Sequence, residues 1–218
     1  MKRRILIAAL LLTLLTTISS QIIINFSKFN LEEINIENNT LVEESDLKSL
    51  LNPFYNKNLI SINNNEIGKV LLKNSFIESF KIKKKYPNTL NVVIFEKKPI
   101  AILLNKKKKF FISEKIELIE YRKISKFENL PYVLGNKDDF KNFYYDLKKI
   151  KFPLDKIKKY TFYESKRWDL ETKNNVIVKL PSKNYLKSLK NYLELSNKNN
   201  FQKYKIFDYR IDNQLILK

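Results

Sequence analysis

Between residues 29 and 104 the spacing of hydrophobic positions changes in a definite succession. Residues 29–36 predict a strand. Residues 45–51 predict a short helix that Asn52-Pro53 ends, because proline has no N–H and disfavours helical geometry in the residue before it. A second helix is expected from Asn63: Asn63 and Glu66 have capping-box spacing, and Ile62 and Ile67 stand at staple positions. Ile67, Val70 and Leu71 then share one helical face. Over 78–84, Phe80 and Ile82 alternate with Lys81 and Lys83, the two-residue period of a half-buried strand. Tyr86-Pro87-Asn88-Thr89 supplies a turn, and Leu90, Val92 and Ile94 fall on one side of a returning strand over 90–96. The order is strand, helix, helix, strand, strand.

Ahead of this unit, residues 5–24 carry no charge and follow Lys2, Arg3 and Arg4. As one helix they would span about 30 Å, enough for a bilayer, with the basic end held in the cytoplasm. The expectation is a cytoplasmic tail over 1–4, a single-pass transmembrane anchor over 5–26, and the rest of the chain on the far side of the membrane. A cleaved signal peptide ending at Ser20 is the competing reading; Ile18 before it and the apolar run after it suit a retained anchor better.

Beyond the unit, Lys98-Pro99 marks a boundary, since Pro99 cannot donate within a ladder and suits the start of a strand. Residues 100–104 and 110–113 predict a hairpin around 105–109, and a helix is expected after Gly135. Phe140, Phe143, Tyr144, Leu147 and Ile150 form that helix's apolar stripe. Residues 157–163, 167–170 and 176–180 read as a three-stranded meander with Asn174-Asn175 in its turn. Tyr185, Leu186, Leu189, Tyr192 and Leu193 mark another helix, and residues 204–210 and 214–217 two last strands. The fold class expected is α+β: an N-terminal transmembrane helix, a β-α-α-β-β domain over 27–98, and a second mixed β-rich domain over 99–218 with helices packed on an antiparallel sheet.

Composition narrows the chemistry. With no Cys and no His, disulfides, thiolate metal sites, Ser-His-Asp triads and Cys-His dyads are unavailable. Paired carboxylates or lysine remain as possible catalysts in principle, yet no Gly-rich phosphate loop, HExxH or GxSxG occurs. No catalytic residue, cofactor or metal site is expected, and the chain is read as not an enzyme. Only 2 glycines are present, so Asn is expected to take positive-φ positions, in stretches such as 63–65 and 197–200. The net charge of +19 favours anionic surfaces, but the basic residues are spread along the whole chain without a nucleic-acid motif, so no specific nucleic acid is expected. Lys81, Lys83, Lys84 and Lys85 read as the solvent side of an exposed strand.

Three stretches carry a resemblance: Phe80-Lys81-Ile82-Lys83-Lys84-Lys85-Tyr86-Pro87-Asn88-Thr89-Leu90, Phe95-Glu96-Lys97-Lys98-Pro99-Ile100-Ala101 and Trp168-Asp169-Leu170. In this order they resemble the FtsQ/DivIB family of bacterial cell-division proteins, a POTRA domain followed by an FtsQ-type β domain. The resemblance implies a non-enzymatic scaffold at the division septum that binds FtsB/FtsL-like proteins, with FtsK- and FtsW-like proteins as further partners. Ile206-Phe207-Asp208-Tyr209-Arg210 resembles the family's ϕ-x-Asp-ϕ-Arg strand, and Arg210 matches its partner-pairing Arg. The partner-binding set so implied is Ile206, Asp208, Arg210, Ile211, Asn213, Gln214, Leu215, Ile216 and Leu217. Ile211 stands where the family often has Tyr, and Leu215 and Leu217 are the candidate replacements for that anchor. From the residues alone, Arg210 is a surface side chain paired with Asp208 or Asp212. Ser113-Glu114-Lys115 stands where the family often turns on Asp and Gly. Two other readings stay open: another POTRA-type exported assembly factor, or an exported basic protein binding an anionic polymer or acting as a carboxylate-dependent hydrolase.

Overall fold

The computed structural model describes residues 2–17, 26–106, 108–211 and 213–218. Helix α1, Lys2–Thr17, is 16 residues long and has exposed side chains from Arg3 to Leu14. At 1.5 Å per residue it reaches about 24 Å, short of a bilayer's apolar core. Among the described residues no helix is long and apolar enough to cross a membrane, which corrects the expected transmembrane helix over 5–26. Three basic residues occupy the helix's first positions and shorten its apolar part further; residues 18–25 of the expected span lie outside the described residues.

The chain divides into two compact units, Met1–Glu96 and Lys97–Lys218. In the first, β1 (Glu33–Glu37), α2 (Glu44–Leu51), α3 (Asn64–Leu71), β2 (Ile77–Lys85) and β3 (Thr89–Glu96) follow the expected order. The sheet runs β1-β3-β2, with β1 parallel to β3 and β2 antiparallel to it. Ile34, Leu90, Val92 and Ile94 are buried on one side, and α2 and α3 bring Leu47, Leu51, Ile67 and Leu71 to the same core. The other face reads Asn35–Asn91–Lys83 across the strands, polar enough to stand in water without a second layer. Lys84 belongs to the opposite face, where its Nζ donates to the Ile62 carbonyl. The Asn63 side chain caps α3 by accepting from the Asn65 N–H at 2.9 Å. The first strand starts later than expected, because residues before it pair elsewhere: Leu31 N donates to Lys57 O and Leu59 N to Phe29 O.

Gly68 on α3 allows the Phe80 ring of β2 to lie against the helix. A Cβ there would stand 2.4 Å from Phe80 Cζ. Gly68→Ala is expected to cost about 1–3 kcal/mol through overpacking, despite alanine's better helix propensity. Urea unfolding checks it: Phe80→Leu in the Gly68→Ala background should recover part of the loss, whereas Gly68→Ala alone matching the parent would contradict this packing.

The second unit contains β4 (Pro99–Asn105), β5 (Lys108–Ser113), β6 (Leu118–Glu120), β7 (Tyr132–Leu134), α4 (Lys137–Lys149), β8 (Ile157–Phe162), β9 (Trp168–Thr172), β10 (Ile177–Lys179), α5 (Tyr185–Ser196), β11 (Ile206–Asp208) and β12 (Ile216–Leu217). Among the described residues its sheet has the order β12-β11-β10-β9-β8-β7-β4-β5-β6. The expected antiparallel sheet is corrected to a mixed one: β4–β7, β7–β8 and β10–β11 are parallel. The cause lies in the connections. α4 joins β7 to β8 and α5 joins β10 to β11, and a helical crossover returns the chain in the same direction. Hairpin β4–β5 and meander β8–β9–β10 form as expected. Trp168 fills the core, its ring stacked on Phe143 at 4.7 Å, with Phe140, Leu170, Val178, Leu189 and Phe207 in the same cluster.

Asn residues do take left-handed positions, at Asn38, Asn56, Asn175, Asn184 and Asn213, rather than in 63–65 or 197–200. The turn after β5 differs from the family's Asp-Gly type in a definite way. Ser113 Oγ accepts from Glu117 N at 3.1 Å, and Ile116 takes a φ of 61°. That geometry is costly for a β-branched residue, and burial of the Ile116 side chain in the core offsets it.

Candidate interaction edge

Among the described residues β12 ends the sheet, and one side of its backbone has no neighbouring strand. Its register with β11 decides which groups face outward. Ile206 and Lys218 exchange both backbone hydrogen bonds, and Phe207 stands opposite Leu217 in the next, unbonded pair. The N–H and C=O of Leu217 therefore point to the open edge, while those of Ile216 and Lys218 serve β11. Side chains alternate the other way. Leu217, and Leu215 before it, pack against the domain's own core, whereas Ile216 lies on the outer face.

On that outer face Asp169 of β9, Lys179 of β10 and Asp208 of β11 stand in one cross-strand row, followed by Ile216. Arg210 leans back over the row. Its Nε donates to Asp208 Oδ1 at 2.8 Å and Oδ2 at 3.0 Å, and its Nη2 to Oδ2 at 2.6 Å. The Arg210 N–H adds a bond to Asp208 Oδ1 at 3.1 Å. Arg210 thus holds the Asp208 carboxyl below the usual carboxylate range. The pair's contribution is present above the ordinary Asp value and is lost as pH falls through the lowered one. The Arg210 side chain keeps 42% of its surface exposed while Asp208 is buried, so the carboxylate anchors the guanidinium and the guanidinium stays reachable.

Asp169 behaves oppositely. Burial pushes its carboxyl up, only partly offset by Arg167 and Tyr163. Its Oδ1 lies 3.8 Å from Arg167 Nε, and neither atom makes a hydrogen bond. A carboxyl raised on folding lowers stability above its folded value, and the penalty disappears below the unfolded one. Asp169→Asn, which removes the charge that burial disfavours, should therefore raise stability at pH 7. The gain should vanish as pH drops below about 4. Urea midpoints of parent and variant across that range test it, and a gap that widens on acidification would refute the assignment.

The structure brings Ile206, Asp208, Arg210 and Ile216 together on or beside the outer face. Of the two pairings open to Arg210 from sequence, that with Asp208 is formed; Asp212 lies outside the described residues. Ile211 is 51% exposed, and Asn213 turns the chain at a φ of 58°. Gln214 N donates to Ile211 O at 3.2 Å. Leu215 and Leu217, the candidate anchors, are partly buried and pack against the domain's core. The row Asp169–Lys179–Asp208 went unnoticed in the sequence; alternation places each on an outer face, but the parallel β10–β11 register that aligns them has no local signal. Among the described residues no group of three His, Cys, Asp or Glu is placed to hold a metal ion.

A family model described as POTRA domain, FtsQ-type, matches residues 29–97. One described as Cell division protein FtsQ/DivIB, C-terminal, matches residues 101–210, ending just before the turn into β12. The cell division protein FtsQ of Rickettsia typhi is 31% identical over 191 residues, 85% of this chain and 71% of that protein. The FtsQ of Rhizobium meliloti is 23% identical over 163 residues, 74% of this chain and 53% of that protein. The major extracytoplasmic domain of DivIB from Geobacillus stearothermophilus aligns with 47% of this chain and 92% of its own, at 15% identity and a TM-score of 0.34.

Proposed function

This chain belongs to the FtsQ/DivIB family of cell-division proteins, and on that premise we propose that it is a non-enzymatic scaffold of the division septum that captures a strand of an FtsB-like protein on β12. The observation that carries the reading is the open edge itself. Among the described residues the N–H and C=O of Leu217 have no partner and can meet an incoming strand, and Arg210 stands nearby with its guanidinium braced by Asp208. Backbone bonds along such an edge supply affinity, and a charged side chain beside it supplies selectivity. An acidic residue flanking the captured strand is the complement of Arg210. The FtsB-like protein would arrive paired with an FtsL-like one, and FtsK- and FtsW-like proteins are further partners in this reading, reached through the POTRA domain or elsewhere.

A fluorescent fusion of the full chain, in cells depleted of their own protein, is the direct test. The scaffold requires a midcell ring and restored constriction. Uniform signal, or division restored without a ring, counts against it.

A further inference from the structure

The second unit also carries a cavity of about 970 Å³ where the loop after α4, the turn between β9 and β10, the end of α5 and the segment entering β11 meet. Its floor is aromatic and well buried. Tyr192 lies 6.3 Å from Phe152 in a stacked arrangement and 5.0 Å from Phe207 edge to face. Phe201 and Tyr204, half-buried, form part of the wall. Around this apolar floor stand Lys151, Lys156, Lys173 and Lys205, all exposed, with Asp155 the one carboxylate in the lining. None of the four lysines forms an ion pair among the described residues.

We propose that this cavity is a second docking site, for an acidic peptide segment that inserts an aromatic or large aliphatic side chain among the rings. Four cations gathered at one mouth repel one another, and a bound anion relieves that repulsion. The aromatic floor supplies area that a purely charged ligand would leave wet. A concentrated phosphate suits the site less well. Its lysines come from three separate chain segments, no arginine fork is present, and α5 contributes Ser196 and Asn197 at its C-terminal end, where carbonyl charge disfavours an anion. Charges spaced along a peptide match lysines spaced around a rim, and helix-end carbonyls can accept its N–H groups. The site involves none of the residues assigned to the β12 edge, so it stands or falls separately from the strand-capture reading.

The test is fluorescence anisotropy of the full chain with a fluorescein-labelled octapeptide, Glu-Asp-Glu-Phe-Leu-Glu-Asp-Glu. Saturable binding is expected, weakened at least tenfold by Lys173→Glu with Lys205→Glu. The β2 pair Lys83→Glu with Lys85→Glu, the same change of charge on the first unit, should alter it by less than twofold, and so should Leu217→Pro at the edge. Replacing Phe and Leu of the peptide by Ser should remove binding. The proposal is overturned by absent saturation, by equal losses from the two lysine pairs, or by a probe that tolerates Ser. Displacement by inorganic phosphate, or loss with Leu217→Pro, overturns it as well.

Discussion

Proline in place of Leu217 is expected to lower capture of an FtsB-like strand by about tenfold to a hundredfold, the scale of one or two net backbone hydrogen bonds plus the ring's bulk at the contact. The register explains why the effect should be confined to binding. The Leu217 N–H points away from β11, so its removal leaves the internal ladder in place, and proline is tolerated on edge strands in that orientation. Ile216→Pro is the contrast. Its N–H faces β11, so this change should detach β12 and lower stability together with binding. Calorimetric titration of a purified FtsB-like segment, paired with urea unfolding, separates the two. Parent-like affinity for Leu217→Pro would remove β12 as the acceptor.

Arg210 is a harder position to test than the sequence alone suggests. Arg210→Glu would set a third carboxylate beside Asp208 and near Asp169, destabilising the row before any partner is met. Arg210→Gln with Asp208→Asn removes both members of the pair and leaves no buried charge alone. Combined with Leu217→Pro, it distinguishes selectivity from edge pairing.

Local periodicity made the order of elements in the first unit, the β8–β10 meander and the stripe on α4 legible, because each depends on residues close in sequence. Partnership between strands was not. Alternation assigns Ile206 and Asp208 to one face of β11, yet nothing local says that β10 lies parallel beside it or that β7 sits between β4 and β8. Leu215 and Leu217 could be taken for exposed anchors for the same reason. Hydrophobic residues on an edge strand look alike in sequence whether they face a partner or their own core. At the N-terminus the uncharged run had the length of a span, but the described helix takes up only part of it. At the candidate edge, the family pattern located the strand and Arg210, and only the register showed which backbone groups are free.

Removing Glu96 should be among the most damaging single changes in the first unit. The sequence marked it only as part of the stretch Phe95-Glu96-Lys97-Lys98-Pro99-Ile100-Ala101. In the structure its carboxylate closes the loop between β1 and α2. Oε1 accepts from Thr40 N at 3.0 Å, Leu41 N at 2.8 Å and Val42 N at 2.9 Å, and Oε2 from Thr40 Oγ1 at 2.6 Å. The N-cap of α2, Glu43, makes no side-chain cap, so this borrowed carboxylate holds the helix's approach in its place. Charge-assisted bonds of this kind contribute more than neutral ones, and the Val42 amide would be left without a partner where its side chain is already buried. Glu96→Ala should therefore cost about 2–4 kcal/mol. Glu96→Gln, which keeps one carbonyl oxygen, should cost less. Urea unfolding measures the loss, and amide exchange locates it: protection at Leu41 and Val42 should collapse first, with β2 and β3 affected only as global stability falls. An alanine variant that keeps the parent's midpoint and slow Val42 exchange would show that the loop is held by something else.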